Sequence, residues 1–209
     1  MTAPAAPLVF VVDDDTSVRK SLARLVKTAG YEAETFASVG DFLARPPHEG
    51  AACLLLDVRM PGQTGPDLQE ALRATGRRIS IIFITGHGDV RVSVKAMKDG
   101  AVDFLTKPLD ERALLTAIRQ AVARTLADQT EQGHVATVRA CMTTLTPREA
   151  QVFALVVTGM LNKQVGAQLG IAEKTVKVHR ARVMEKMRAD SLAQLVRLAG
   201  TGGVNATRV

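Results

Sequence analysis

Leu54-Leu55-Leu56-Asp57 follows Ala51-Ala52-Cys53 without a polar break. An unbroken apolar run of this length describes a strand buried on both faces, as in a parallel sheet. Such a strand ends in a charge only where it reaches the open carboxyl edge, the edge at which open α/β sheets place their chemistry. Met60-Pro61-Gly62 then turns the chain away, and Gly65-Pro66 opens a helix. Asp57 is therefore expected as a carboxylate held by a stiff strand at the mouth of a crevice.

The pattern recurs along the first part of the chain. Leu8–Val12 runs straight into Asp13-Asp14-Asp15, residues 79–84 end in Thr85, and residues 102–105 end at Thr106-Lys107-Pro108. A weaker strand is read at Glu32–Phe36, with helices at 17–29, 39–44, 66–74, 89–98 and 110–127. Five strands alternating with five helices predict an α/β fold, a five-stranded doubly wound parallel sheet over residues 1–127. Right-handed crossovers then bring the strand ends to one edge. That edge collects Asp13, Asp14, Asp57, Thr85 and Lys107.

Taken singly, each has an ordinary role: Asp15 caps the first helix, Thr85 is a strand-end hydroxyl, and Lys107 is a surface lysine. Taken jointly, they describe a site. Carboxylates a few ångströms apart repel one another by roughly 4 kcal/mol per close pair at an effective dielectric of 20. They call for a cation, and an all-oxygen cluster that keeps water suits Mg²⁺ or another divalent ion. With Lys107 as a further fixed positive charge, the edge suits a transferred phosphoryl group. Asp57 is then the nucleophile, forming an acyl phosphate, and Thr85 hydrogen-bonds a phosphoryl oxygen.

Charge divides the chain unevenly. Residues 1–127 hold 16 Lys+Arg against 15 Asp+Glu, whereas residues 128–209 hold 11 against 6, so the excess of +6 lies mostly in the second part. A small basic segment beside a neutral domain points to an anionic partner. No apolar run approaches the roughly 20 residues that span a bilayer. Met1 to Pro7 carries no basic n-region, and two cysteines make neither a disulfide framework nor a metal spacing. The expectation is a cytoplasmic protein with no membrane partner.

Residues 128–144 lose apolar periodicity and are read as a linker, helical in part as an extension of the helix before it. Residues 145–209 make an all-α second domain. Thr146 with Glu149 forms a capping box, with Pro147 at the first helical position. That helix is expected through residue 158, then a short one that Asn162 caps, a turn at Gly170, a longer helix over 173–187, and a last one over 192–199 capped by Asp190 or Ser191. Two short helices about a glycine turn fit a helix-turn-helix. On the 173–187 helix, Val176, Val183, Met184 and Met187 form a buried stripe. Lys174, Lys177, Val178, Ala181, Arg182 and Glu185 share the opposite face, with Arg180 at its flank. A merely solvated face would not set Val178 and Ala181 among its cations. Small apolar groups between basic ones suit a DNA major groove.

These residues also carry a family likeness. Val11-Val12-Asp13-Asp14-Asp15, Leu56-Asp57-Val58-Arg59-Met60-Pro61-Gly62, Ile84-Thr85-Gly86-His87-Gly88 and Asp103-Phe104-Leu105-Thr106-Lys107-Pro108 resemble the receiver domain of two-component response regulators, over about residues 7–125. The resemblance implies that Asp57 is the phosphoacceptor. It implies Asp14 and Asp57 as direct Mg²⁺ ligands beside Asp13, with the backbone carbonyl of Arg59 completing the set. Thr85 and Lys107 match the phosphoryl-binding residues, and Phe104 the aromatic switch that moves with Thr85. Arg59 and His87 match positions that tune the lifetime of the phosphoryl group, and a cis Lys107-Pro108 bond is implied.

Leu145-Thr146-Pro147-Arg148-Glu149, Asn162-Lys163 and Thr175-Val176-Lys177-Val178-His179-Arg180 are similar to the LuxR-type DNA-binding domain over about 143–200. With the receiver, the chain resembles the NarL/FixJ family, closest to the FixJ branch. The likeness implies base contacts from Lys177 and Val178 and phosphate contacts from Lys174 and Arg180, with Arg182 on the same basic face. Ala172 departs from it, standing where relatives cap the recognition helix with Ser or Thr. The implied function is a regulator phosphorylated on Asp57 by a sensor histidine kinase, which dimerises and binds double-stranded promoter DNA to control transcription, with RNA polymerase a further partner. It is not an enzyme beyond its own phosphotransfer and dephosphorylation. Two rivals are weighed. A haloacid-dehalogenase-like phosphatase fails at Ser17 and lacks a later acidic pair. A constitutive DNA-binding regulator with a non-gating receiver leaves the complete acidic and basic set unexplained.

Overall fold

The computed structural model describes residues 6–48, 50–86 and 90–203. The chain forms two compact units that divide after Thr130. The first holds β1 (Leu8–Val12), α1 (Thr16–Thr28), β2 (Glu32–Phe36), α2 (Val39–Ala44), β3 (Ala52–Asp57), α3 (Gly65–Ala74), β4 (Ser80–Thr85), α4 (Val90–Lys98), β5 (Asp103–Thr106) and the start of α5 (Glu111–Thr143). The five strands pair in parallel in the order β2-β1-β3-β4-β5.

The apolar runs explain this sheet. Successive strand residues point to opposite faces, so Phe10, Val12, Leu54, Leu56 and Phe83 join one core, under α2, α3 and α4. Val9, Val11, Cys53, Leu55, Ile82 and Ile84 join the other, under α1 and α5. Leu54, Leu55 and Leu56 are wholly buried, and each contributes roughly 2 kcal/mol by leaving water. Asp15 caps α1 as expected, accepting hydrogen bonds from the amides of Ser17 and Val18.

The second unit contains α6 (Pro147–Val156), α7 (Asn162–Leu169), α8 (Glu173–Lys186) and α9 (Leu192–Gly202) around one core that includes Val152, Phe153, Val165, Val176, Val183 and Leu195. The Thr146–Glu149 capping box is present. Gly170 ends α7 at φ 64°, a left-handed conformation that glycine adopts without steric cost.

Three elements differ from expectation. The 128–144 stretch is helical through Thr143, so α5 runs on for 33 residues. Gln129, Glu131 and Gln132 are good helix formers with no proline among them. Residues 130–134 are exposed all round, so periodicity fades there without the helix ending. Asn162 is the first residue of α7 and not its cap. Leu161 holds the cap position, and its amide donates to Gln164 Oε1 instead. Of the two residues expected to cap α9, Ser191 does so, but α9 continues past residue 199 to Gly202. Other boundaries fall within two residues of those expected. Asp89, the expected start of α4, lies outside the described residues. Among the described residues, no helix is long and apolar enough to cross a membrane, and Cys53 and Cys141 are both free.

Candidate phosphoryl-transfer site and nucleic-acid interface

The strand order reverses between β1 and β3, and a crevice opens at their carboxyl ends. Val12 pairs with Leu56, so Asp13 and Asp57 come level. Asp13 is 2% exposed and Asp57 7%, whereas Asp14 in the turn beyond is open to solvent. One carboxylate oxygen of each lies within 4.8 Å of the others. Thr85 ends β4, fully buried, and its carbonyl accepts a hydrogen bond from the Lys107 amide at 2.7 Å. Lys107 follows β5, and its bond to Pro108 is cis. Its Nζ donates to Asp13 Oδ2 at 2.8 Å and to Asp57 Oδ1 at 3.4 Å.

These neighbours set the charge states. Burial pushes the Asp57 carboxyl above the ordinary carboxylate value; the Lys107 ammonium opposes this, and the charges of Asp13 and Asp14 reinforce it. Burial also works against the Lys107 ammonium, but its hydrogen bond to Asp13 and the charge of Asp57 prevail and hold its pKa above the usual lysine value. The donor set is oxygen only, two oxygens buried and one open. It fits a hard divalent ion that keeps part of its water.

Two features fix the backbone around Asp57. A Cβ on Gly65 would collide with the carbonyl oxygen of Asp57, so only glycine lets α3 begin this close to β3. The Gly65 amide donates to Val58 O at 3.1 Å, closing the loop that carries Arg59. The Arg59 side chain is exposed. Phe104 is half-buried against Phe83, ring centroids 6.2 Å apart. His87 lies outside the described residues.

Two contributors were not legible in the sequence. Arg19 donates from Nη1 to the Asp13 carbonyl at 2.6 Å and from Nη2 to Thr16 Oγ1 at 2.9 Å. Its only sequence signal is a cation one turn into the helix that follows an acidic turn. In the second unit, Lys186 Nζ donates to Glu149 Oε2 at 2.6 Å and to the Thr144 carbonyl at 3.0 Å. This ties the last turn of α8 to the start of α6.

On α8, Val176, Val183 and Met187 are buried, and Lys174, Lys177, Val178, Ala181, Arg182 and Glu185 are exposed on the other face. Val178 is 47% exposed, so its apolar side chain lies open to solvent among these cations. Lys177 makes a loose pair with Glu173 at 3.4 Å. Arg180, half-buried, donates to Asn162 Oδ1 at 3.1 Å, which fixes its guanidinium beside the start of α7. Ala172, at the cap of α8, makes no side-chain capping bond.

The family model of the response regulator receiver domain matches residues 9–119, and that of the luxR family of bacterial regulatory proteins matches residues 143–199. Nodulation protein W of Bradyrhizobium diazoefficiens is 47% identical over 98% of this chain and 90% of its own length. The transcriptional regulatory protein FixJ of Rhizobium meliloti is 42% identical over 93% of this chain and 96% of its own. Among solved structures, that of the response regulator StyR superposes with a TM-score of 0.82 at 47% identity, covering 94% of this chain and 99% of that one.

Proposed function

Because the chain belongs to the response regulators of the NarL/FixJ type, in which a receiver domain precedes a luxR-family helix-turn-helix domain, we propose that its control of transcription is gated by phosphorylation of Asp57. Residues 1–127 act as the receiver, 128–144 join, and 145–209 bind DNA. The donor is the phosphohistidine of a sensor histidine kinase. A carboxylate oxygen of Asp57 attacks phosphorus, the P–O bond forms as the P–N bond breaks, and the histidine leaves with a proton from solvent. Lys107 holds its ammonium against the oxygens that gain charge, and the Thr85 hydroxyl hydrogen-bonds one of them.

Asp13, Asp14 and Asp57, with the backbone carbonyl of Arg59, would hold Mg²⁺, whose charge relieves the repulsion between carboxylate and phosphoryl group. Thr85 and Phe104 then shift together and change the face of α4, β5 and α5, through which two chains dimerise. The paired second domains bind two half-sites of promoter DNA. Lys177 and Val178 reach bases, and Lys174, Arg180 and Arg182 reach phosphates. RNA polymerase is the partner through which bound dimers act.

The observation that carries this reading is the setting of Asp57: a buried strand-end carboxylate with Asp13 and Asp14 within 4.8 Å and the Lys107 ammonium at 3.4 Å. Sedimentation with Mg²⁺, with and without a small phosphoryl donor, tests it. The expected result is a shift from monomer to dimer in the wild type and none in Asp57→Ala. No shift in either, with unchanged DNA affinity, would favour constitutive binding.

A further inference from the structure

Asp14 is the least supported member of the acidic cluster. Asp13 is fixed at several points: Oδ1 accepts from the Asp15 amide at 2.8 Å, Oδ2 accepts from Lys107, and its amide donates to the Phe36 carbonyl at 3.3 Å. Asp57 is held by β3 and its ladder to β4. The Asp14 carboxylate is exposed and makes no hydrogen bond among the described residues. Its position follows from the backbone of the four-residue turn 13–16 alone.

That turn is clamped from one side chain. Arg19 Nη1 donates to the carbonyl of Asp13 and Nη2 to the hydroxyl of Thr16, the two ends of the turn with Asp14 between them. The backbone from which the fork reaches is fixed to the same turn, because Arg19 sits in the first turn of α1 with its amide donating to the Asp15 carbonyl at 3.0 Å. We propose that Arg19 is a positioning residue for the divalent-cation site, its fork spanning turn 13–16 and so setting the carboxylate of Asp14. The inference rests on the reading of Asp13, Asp14 and Asp57 as that site.

Charge and geometry predict opposite signs here. Arg19 brings a positive charge close to a site for a cation, so by charge alone its removal would tighten metal binding. By geometry its removal frees the turn, and Asp14 must be ordered again when the ion binds. Lysine separates the two, since an ammonium keeps the charge but has no planar fork to bridge both acceptors.

Calorimetric titration of Mg²⁺ into the full chain decides between them, run on wild type, Arg19→Lys, Arg19→Gln and Asp14→Asn, with the thermal midpoint of each measured in chelator. Both Arg19 variants are expected to bind Mg²⁺ about tenfold more weakly, the scale of outer-shell losses, at an unchanged metal-free midpoint. Wild-type affinity in Arg19→Lys, tighter binding in Arg19→Gln, or a loss matched by a fall in the metal-free midpoint would each overturn the proposal. Should either variant not fold, Thr16→Val removes one anchor alone; a smaller weakening is expected, and none would overturn the proposal. Equal binding by wild type and Asp14→Asn would instead sink the metal-site reading itself.

Discussion

Lys107 Nζ lies 2.8 Å from Asp13 Oδ2 and 3.4 Å from Asp57 Oδ1, so the ammonium belongs first to Asp13 and only in part to Asp57. A lysine bound tightly to Asp57 would occupy the oxygen that attacks phosphorus in the proposed transfer. Held by Asp13, it lends charge to the site and leaves that oxygen accessible. Lys107 is also the main influence that holds the Asp57 carboxyl down against burial. Lys107→Met is therefore expected to raise the Asp57 pKa further, read by carboxyl-carbon NMR titration without metal. An unmoved titration would mean that the 3.4 Å contact carries little energy.

Gly65 is where α3 and Asp57 meet most closely. Gly65→Ala drives a methyl into the Asp57 carbonyl and towards Phe83 Cε1 at 3.0 Å, an overpacking expected to cost about 1–3 kcal/mol. Because the backbone that gives way belongs to Asp57, Mg²⁺ binding should weaken as well. Urea denaturation and Mg²⁺ titration check the two effects. Lower stability with intact Mg²⁺ binding would show that the strain is absorbed on the α3 side.

The exposed face of α8 predicts two kinds of loss. Lys174→Ala should weaken binding to all DNA sequences alike and reduce the slope of log affinity against log salt by about 1. Val178→Ser should instead relax discrimination at one base pair, by about 1–3 kcal/mol or less, and leave the salt slope alone. Fluorescence-anisotropy titrations across salt concentrations separate them. A change of salt slope in Val178→Ser would argue against a base contact.

Glu149 gives the second unit a pH dependence. Its carboxyl is pulled from an ordinary 4.5 down to about 2, first by the Lys186 hydrogen bond and then by that of the Thr146 amide. A depressed carboxyl pKa stabilises the folded state above the unfolded value and loses that contribution as protons bind. Stability should therefore hold above pH 4.5 and fall between 4.5 and about 2. Lys186→Met should lower the midpoint at neutral pH and flatten this fall, since the largest cause of the depression is gone. Thermal unfolding followed by amide signals of α6 and α8 checks both. An equally steep fall in the variant would place the proton uptake elsewhere.

Most of the sheet and of its rim could be read from the sequence because both follow from one physical rule. A strand buried on two faces must be apolar throughout, so the residue that breaks the run marks the edge. Asp57 after Leu54-Leu55-Leu56 and Asp13 after Leu8–Val12 declare themselves in this way. Arg19 and Lys186 do not, because their partners include backbone carbonyls, of Asp13 and of Thr144. Every residue type presents a carbonyl, so the acceptor leaves no trace in the sequence. The course of α5 was hidden for a related reason. Periodicity reports one buried face, and over residues 130–134 the helix buries none. Asn162 misled by being a good cap one position too late; the structure spends its carboxamide on Arg180.

The long α5 also bears on how such chains can be cut and recombined. Its tail carries Val138, 3% exposed, with Cys141 and Met142 beside it, into the core of the second unit. A fragment begun at Leu145, where the motif of that unit starts, would leave these side chains behind and open its own core. Exchange of output domains between relatives would meet the same constraint, with the seam before Val138 and inside an unbroken helix. The heritable module is thus longer than the DNA-binding motif that it carries.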